Sequence, residues 1–389
     1  MKDSTFGAYN IADFREIARR KLPRGIFEYV DRGTEDEIAL HNNRAVFERI
    51  KFMPRALVDV AQRSQAVTLF GQQHKMPIAI APTGSAGLMW YQGEIALARA
   101  AAAAGIPFTL ATGSLSRIEH VAEQAGGTLW LQLYLWEDRE LSYRLVDRAW
   151  KAGFQALIVT VDGAVTTNRE YNRRNDFSMP IKFTRRNVTD VLMHPGWLCG
   201  VFMRYILNGG MPRLENYPDD VDNRINAGTK DPRVRTTATL NTEDLRALRK
   251  RWPGKLMVKG ILHPQDAVLA ADCGADAVVV SNHGGRNLDS SMAPIAVLPE
   301  VVDAVGKRVT VIVDSGFRRG SDIVKALALG AQTVLIGRST LYGTAVGGEA
   351  GAARAIALLR DEIDRLLALL GCRNVSELDR KVLVMPPTA

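Results

Sequence analysis

From residue 76 onward, short and nearly unbroken apolar runs alternate with longer stretches rich in Ala and Leu. The runs are Met76 to Pro82, Pro107 to Thr112, Thr128 to Tyr134, Leu157 to Asp162, Lys255 to Gly260, Ala277 to Asn282, Val309 to Ser315 and Thr333 to Gly337. A run that is apolar throughout reads as a strand buried on both faces, the condition of parallel strands under a layer of helices. Helices are predicted between them at Gly93 to Ala104, Ser116 to Gln124, Arg139 to Lys151, Pro264 to Asp272 and Ser321 to Leu329. Eight strand-and-helix units of this kind predict an α/β chain closed into a (β/α)8 TIM barrel over residues 76–371.

Ahead of the barrel, residues 1–75 read as a helical cap. Ile11, Phe14, Ile17 and Ala18 recur at helical spacing, and Pro23 opens a second turn that carries Phe27 and Tyr29. The rhythm is interrupted once, after the fourth strand, by an insertion at residues 177–240. Within it, Trp197 to Leu207 is apolar and aromatic, with Lys182, Arg185 and Arg186 upstream and Arg213 downstream. That stretch is too short to span a bilayer, but aromatics beside cations suit the interface of an anionic leaflet. A helix packed onto the barrel or onto a neighbouring subunit is the other reading. Residues 216–240, rich in Asp, Asn, Arg, Pro and Thr, read as a flexible loop.

The composition, 47% apolar and 24% charged over 389 residues, fits one large globular domain and argues against disorder. A net charge of +8 admits nucleic acid, an anionic membrane or acidic substrates as partners. The cations are spread along the chain, with no zinc-finger spacing, RNA-reading aromatic signature or basic arm, so no nucleic acid is expected. Cys199, Cys273 and Cys372 are few, distant and odd in number, which points to a reducing compartment. The first residues lack the apolar stretch of a secretory signal, so the expectation is a protein made in the cytosol and kept on that side. His41, His74, His120, His194 and His263 lack ligand spacing, and no metal is expected.

Barrel sites are assembled where strands hand over to loops at the C-terminal face. Those positions hold Thr83 and Gly84, Gln132 and Tyr134, Thr160 and Asp162, Lys259, Ser281 and His283, Asp314 and Gly316, and Gly337 and Arg338. The densest of them is Ser281-Asn282-His283-Gly284-Gly285-Arg286. An imidazole moves protons near neutral pH and a guanidinium grips a carboxylate through two parallel bonds, so this stretch suggests proton abstraction beside a carboxylate. A glycine turn with a solvated Arg is the plainer alternative.

Asp314 to Gly320, followed by Gly337-Arg338, offers free backbone N–H groups, a helix start and arginines on the last two strands, where many barrels bind phosphate. A phosphorylated cofactor is therefore expected. Lys259 at the end of an apolar strand needs an anion, either the pyrimidine side of a reduced flavin or a barrel carboxylate. Tyr29 and Tyr134 read equally as core aromatics, Asp162 as a helix cap and Arg169 as a surface cation.

Taken as a set, Ser281 to Asp289, Asp314 to Gly320 and Gly337-Arg338 resemble the FMN-dependent α-hydroxy-acid oxidising family of glycolate oxidase, lactate oxidase, L-lactate dehydrogenase and (S)-mandelate dehydrogenase. The resemblance runs from Leu22-Pro23 to about Gly371. It implies that His283 is the catalytic base, that Asp162 pairs with its imidazolium and that Arg169 and Arg286 hold the substrate carboxylate. Tyr134 would bond the substrate and Tyr29 would close the pocket. Pro82, Thr83, Gly84, Gln132, Thr160, Lys259 and Ser281 would surround the flavin ring of FMN, and Asp314, Gly316, Arg318, Gly337 and Arg338 its ribityl phosphate.

Oxidases of the family usually have Ala at the place of Gly84, and glycolate oxidase has Trp at that of Gly113. Both glycines open space beside the flavin and imply a bulky, aromatic 2-hydroxy acid, with lactate as the alternative. Ile95 to Phe108 and Asp314 to Ala331 are most similar to (S)-mandelate dehydrogenase. The insertion corresponds in position to the membrane-associating segment of the mandelate and bacterial lactate dehydrogenases. Peripheral contact through residues 177–215, on the cytoplasmic face of the inner membrane, is implied, with a quinone or respiratory-chain acceptor and a homotetramer. A soluble oxidase releasing peroxide is the other reading. Asn287, where the family usually has Gln, and Ala111, where Ser is common, depart from the pattern.

Overall fold

The computed structural model describes residues 6–177, 180–227 and 231–384. The expected strands form, as β1 (Ile78–Ile80), β2 (Phe108–Ala111), β3 (Leu129–Leu133), β4 (Ala156–Thr160), β5 (Lys255–Ile261), β6 (Ala277–Val280), β7 (Thr310–Val313) and β8 (Thr333–Ile336). Each pairs in parallel with the next, and β8 returns to pair with β1, so the sheet closes. The chain is a (β/α)8 barrel with a helical cap before β1 and a long insertion after β4.

Two hydrophobic cores follow from the two-residue period of a strand. One set of positions faces outward to the helices, as Leu157 and Val159 do on β4. The other faces inward, where Ala79, Trp130, Ile158, Met257, Val279, Ile312 and Leu335 fill the barrel. A hairpin of Val67–Leu69 and Gln72–His74 brings Leu69 and Phe70 against the bottom of that filling.

The cap helices span Ile11–Lys21, Arg24–Asp31 and Ile38–Arg49. The first begins at Asn10, whose side chain accepts from the N–H of Asp13 at 3.0 Å, and it buries Ile11, Phe14 and Ala18. It packs against the C-terminal helical segment Arg338–Leu370, which is broken by non-helical backbone at Gly347 and Gly348. The third helix reaches the barrel mouth, where Asn43 and Asn282 exchange amide hydrogen bonds at 2.9 and 2.8 Å.

The insertion is several short helical pieces: Arg185–Leu192, Pro195–Trp197, a π-helical turn at Leu198–Phe202, and Met203–Gly209. Trp197 is buried and its indole Nε1 donates to the carbonyl of Leu88 at 2.7 Å, so this part packs onto the barrel. Phe183, Leu192, Met193 and Leu207 of the same insertion are exposed. The packing reading of the Trp197 to Leu207 stretch therefore holds at Trp197 and Val201, while Leu207 at its end is exposed. Among the described residues no helix is long and apolar enough to cross a membrane. Among the described residues of 216–240 there is one 3-10 turn, Pro232–Val234, and the stretch is not loosely held: Asn216, Val221, Ile225, Val234 and Thr237 are buried, and Thr236 bridges Trp136. A few apolar side chains spaced through a polar stretch anchor it to the barrel mouth.

Candidate active site

The inward period of each strand decides what meets the mouth of the barrel. Two residues beyond Trp130 comes Gln132, beyond Ile158 Thr160, beyond Met257 Lys259, beyond Val279 Ser281, and beyond Ile312 Asp314. The apolar filling is thus roofed by a polar layer, and its members satisfy one another. Gln132 Nε2 donates to Thr160 Oγ1 at 3.0 Å. Lys259 Nζ donates to Ser281 Oγ at 2.9 Å and lies 3.3 Å from Asp314 Oδ2. Lys259 meets both its expected barrel carboxylate and the floor of the cavity above.

The turn after β6 is held in an uncommon shape. His283 sits at φ 58°, in left-handed backbone that a non-glycine residue rarely adopts, and its N–H donates to Ser281 Oγ at 3.1 Å. Gly285 is also left-handed, and a Cβ there would lie 2.6 Å from the backbone nitrogen of Leu40 in the cap, so only glycine fits. Thr34 N–H donates to the carbonyl of Gly285 at 3.0 Å. The cap therefore moulds the turn that aims His283.

His283 Nδ1 lies 3.1 Å from Asp162 Oδ1, and its Nε2 lies 3.2 Å from the hydroxyl of Tyr134. A carboxylate only accepts, so the hydrogen belongs on Nδ1 and the lone pair on Nε2, toward the cavity. Burial pushes the His283 imidazole below its ordinary value, Lys259 pushes the same way, and Asp162 opposes both. Burial would raise the Asp162 carboxyl, but pairing with His283, with Lys259 behind it, holds it below its ordinary value. Burial raises the Tyr134 phenol far above its usual range, so it stays protonated. The arrangement is a neutral base beside a fixed anion.

Arg286 Nη1 donates to the carbonyls of Tyr29 and Arg32 at 2.8 and 3.1 Å, and its guanidinium lies 5.4 Å from the centre of the Tyr29 ring. Arg169, at the start of the short helix Glu170–Arg174, faces it. The Arg286 charge, with burial second, pulls the Arg169 guanidinium below its usual value, and Arg169 Nε is buried without a partner. Two like charges held together with an unused donor describe a site for an anion.

At the far end, Gly316 is left-handed, and a Cβ on it would collide with the carbonyl of Asn43. Arg318 Nη1 is buried without a partner, while Nη2 donates to the hydroxyl of Tyr342 at 3.3 Å. Arg338 differs from Arg318. Its Nε, Nη1 and Nη2 donate to the carbonyls of Val30, Gly284 and Arg32 at 2.7, 2.8 and 3.0 Å, and burial pushes it down to about 10. Its side chain ties the cap to the His283 turn, whereas its backbone opens the helix Arg338–Leu370.

A cavity of about 400 Å3 joins these ends. Tyr29, Pro82, Thr83, Gly84, Gln132, Tyr134, Thr160, Arg169, Lys259, His283, Arg286, Asp314, Gly316, Arg318, Gly337 and Arg338 all line it. Asp162 and Ser281 stand one layer behind, against His283 and Lys259. Leu214, Tyr217 and Thr236 also line the cavity and were not foreseen. They belong to the insertion, where no strand period marks a direction; the aromatic Tyr217 in a polar stretch was the one available signal. The cavity fits FMN: the unpartnered Arg318 nitrogen and the helix start at Arg338 suit a phosphate, and a Cβ at Gly113 would meet nothing within 4 Å beside the space for a flat ring.

Comparison with known proteins agrees with this geometry. Residues 18–385 match the FMN-dependent dehydrogenase family. The chain is 43% identical to (S)-mandelate dehydrogenase of Pseudomonas putida over 95% of this chain and 92% of that one. It is 40% identical to an L-lactate oxidase of Nostoc sp. over 96% and 97% of the two chains. A crystal structure of the monotopic membrane protein (S)-mandelate dehydrogenase superposes with a TM-score of 0.91 at 41% identity, covering 98% of this chain and all of the other. The chain belongs to the FMN-dependent dehydrogenases and is an oxidoreductase of 2-hydroxy acids that uses FMN.

Proposed function

We propose that this chain oxidises (S)-2-hydroxy acids with a bulky aromatic side chain, of which mandelate is the type, to 2-oxo acids, and delivers the electrons to a quinone or another respiratory-chain acceptor. The observation that carries the substrate reading is the free volume at Gly84 and Gly113. A Cβ on Gly84 would meet only the carbonyl of Gly113, at 3.5 Å, and one on Gly113 would meet nothing within 4 Å.

In this reading Arg169 and Arg286 clamp the substrate carboxylate, and the protonated Tyr134 hydroxyl donates to the substrate oxygen beside it. His283 Nε2 takes the proton, and Asp162 stabilises the imidazolium that results. Base placement of this kind is worth roughly 10²- to 10⁴-fold. Pro82, Thr83, Gly84, Gln132, Thr160, Lys259 and Ser281 hold the flavin ring, with the Lys259 cation set to stabilise added negative charge. Asp314, Gly316, Arg318, Gly337 and the backbone of Arg338 hold the ribityl phosphate. FMN supplies the two-electron acceptor. Tyr29 closes the substrate side.

Exposed Phe183, Leu192, Met193 and Leu207, near Lys182, Arg185 and Arg186, support peripheral attachment to an anionic leaflet, on the cytoplasmic face of the inner membrane. A homotetramer rests on resemblance alone. Lactate is the second reading, favoured by an L-lactate oxidase and an L-lactate dehydrogenase, each at 40% identity. Anaerobic bleaching of the flavin by (S)-mandelate, lactate, glycolate and longer 2-hydroxy acids separates the two. Faster bleaching by lactate than by mandelate would sink the aromatic assignment, and peroxide release with oxygen as sole acceptor would sink the quinone.

A further inference from the structure

A second cavity, of about 420 Å3, lies between the helix Gly93–Ala104, the loop after β2 and the middle of the insertion, from Tyr205 to Glu215. Its walls include Tyr91, Ile95, Leu115, His120, Tyr205 and Met211. We propose that this cavity receives the ring of a lipid-soluble quinone, so that the electron acceptor docks beside, and not within, the hydroxy-acid site. The inference rests on the respiratory-acceptor reading above and deepens it.

Three observations carry it. First, the two cavities share walls one chain thick. Gly113 faces the substrate cavity and Leu115 the second one; Leu214 faces the first, and Arg213 and Glu215 the second. Glu215 N–H donates to the carbonyl of Ser114 at 3.0 Å, so the two wall segments are bonded to each other.

Second, the cavity lies at the foot of the exposed apolar surface. Leu207 is 78% exposed, and Asn208, Gly209, Gly210 and Met211, which follow it directly, line the cavity. A ring whose tail stays in the bilayer reaches it without crossing the polar mouth of the barrel.

Third, the walls combine stacking surfaces with proton donors, as a quinone pocket needs. The Tyr91 and Tyr205 rings are 4.8 Å apart, and the Arg204 guanidinium lies 4.3 Å from the centre of Tyr91. The Tyr205 hydroxyl accepts from the N–H of Gln92 at 3.1 Å, which leaves its own hydrogen free to donate. Beneath the wall, Glu94 is buried and accepts from Leu115 N–H at 3.1 Å and Ser116 Oγ at 3.2 Å. A Cβ on Gly87 would lie 3.0 Å from Glu94 Oε2 and would collide with the Tyr205 hydroxyl, so carboxyl and phenol converge on one point. Burial raises the Glu94 carboxyl, which favours its protonated form. Nothing in the hydroxy-acid site uses this group. The step balances: one 2-hydroxy acid releases two electrons and two protons, and one quinone takes up two of each to become the quinol.

The test uses the full FMN-loaded protein and a ubiquinone with a single isoprene unit. Gly209 is placed for a filling substitution, because its φ is ordinary and a Cβ there would meet nothing within 4 Å. Gly209→Phe should raise the KM for the quinone roughly tenfold or more, while (S)-mandelate bleaches the flavin at the wild-type rate. Tyr205→Phe should slow quinone reduction with the same bleaching. In hydrogen exchange the quinone should protect peptides covering residues 91–97, 115–120 and 205–213 in the wild type and not in Gly209→Phe. Protection centred on residues 281–286, competition between quinone and hydroxy acid, or an unchanged quinone KM in both variants overturns the proposal. A wild-type flavin bleached by the acid but not reoxidised by the quinone also overturns it, and leaves hydroxy-acid oxidation standing. A flavin bleached by no 2-hydroxy acid instead defeats the function on which it rests.

Discussion

His283 Nδ1 stands 3.1 Å from Asp162 Oδ1, while Asp162 Oδ2 is buried with no partner. Burial works against the Asp162 anion, and the imidazole opposite, once charged, favours it, so the pair gains most when His283 has taken up a proton. Asp162→Asn should therefore keep FMN bound and lower kcat by roughly 10- to 150-fold, the worth of a hydrogen bond to a charged group of about 1.5–3 kcal/mol. His283→Ala should keep the yellow colour and lose bleaching by any 2-hydroxy acid. A colourless His283→Ala protein would place the imidazole in cofactor binding.

The same pair sets the pH response. The imidazole must be neutral to accept a proton, and burial and Lys259 have lowered its value, so kcat/KM should fall only as pH drops below the ordinary histidine range. Asp162 raises the imidazole, so Asp162→Asn should move this acid limb to still lower pH. A limb that moves upward in the variant would rule out the assignment.

Arg169 and Arg286 predict different losses. Arg169 Nε has no partner among the described residues, so Arg169→Met should raise the KM for the hydroxy acid roughly 10- to 150-fold with little change in Tm. Arg286 also binds the carbonyls of Tyr29 and Arg32, so Arg286→Met should lose activity and Tm together. Thermal melts beside steady-state kinetics read both effects.

Lys259 and Asp314 are both buried, 3.3 Å apart. Lys259→Met leaves the Asp314 carboxylate without its cation, a loss of about 3–5 kcal/mol for a buried pair broken on one side. Chemical denaturation of the FMN-free protein measures it, apart from any effect on the cofactor.

Gly113 has free space around its Cβ position, so Gly113→Leu should fold normally and shift selectivity from mandelate toward lactate by roughly 10- to 200-fold. A substrate panel scored as ratios of kcat/KM checks it.

Membrane attachment is best tested at single positions. Removing residues 183–212 would also remove Trp197 from the carbonyl of Leu88 and strip the barrel of cover. Leu192→Glu, Met193→Glu and Leu207→Glu change exposed side chains only, and together should move the protein from sedimenting anionic vesicles to the supernatant. Retention in the pellet would count against this surface.

How much was legible follows the range of the physics involved. Unbroken apolar runs announced all eight strands, because burial on both faces is written locally into each run. The strand period also aimed Gln132, Thr160, Lys259, Ser281 and Asp314 into one mouth. Local pattern therefore determined the barrel and most of its polar layer. Only the folded chain decided that Arg338 would donate to the carbonyls of Val30, Gly284 and Arg32, that the cap would mould the His283 turn through Asn43 and Thr34, and that Leu214, Tyr217 and Thr236 would roof the cavity. Those contacts join residues far apart in sequence, and no periodicity within a segment records which distant backbone group will stand opposite a given side chain.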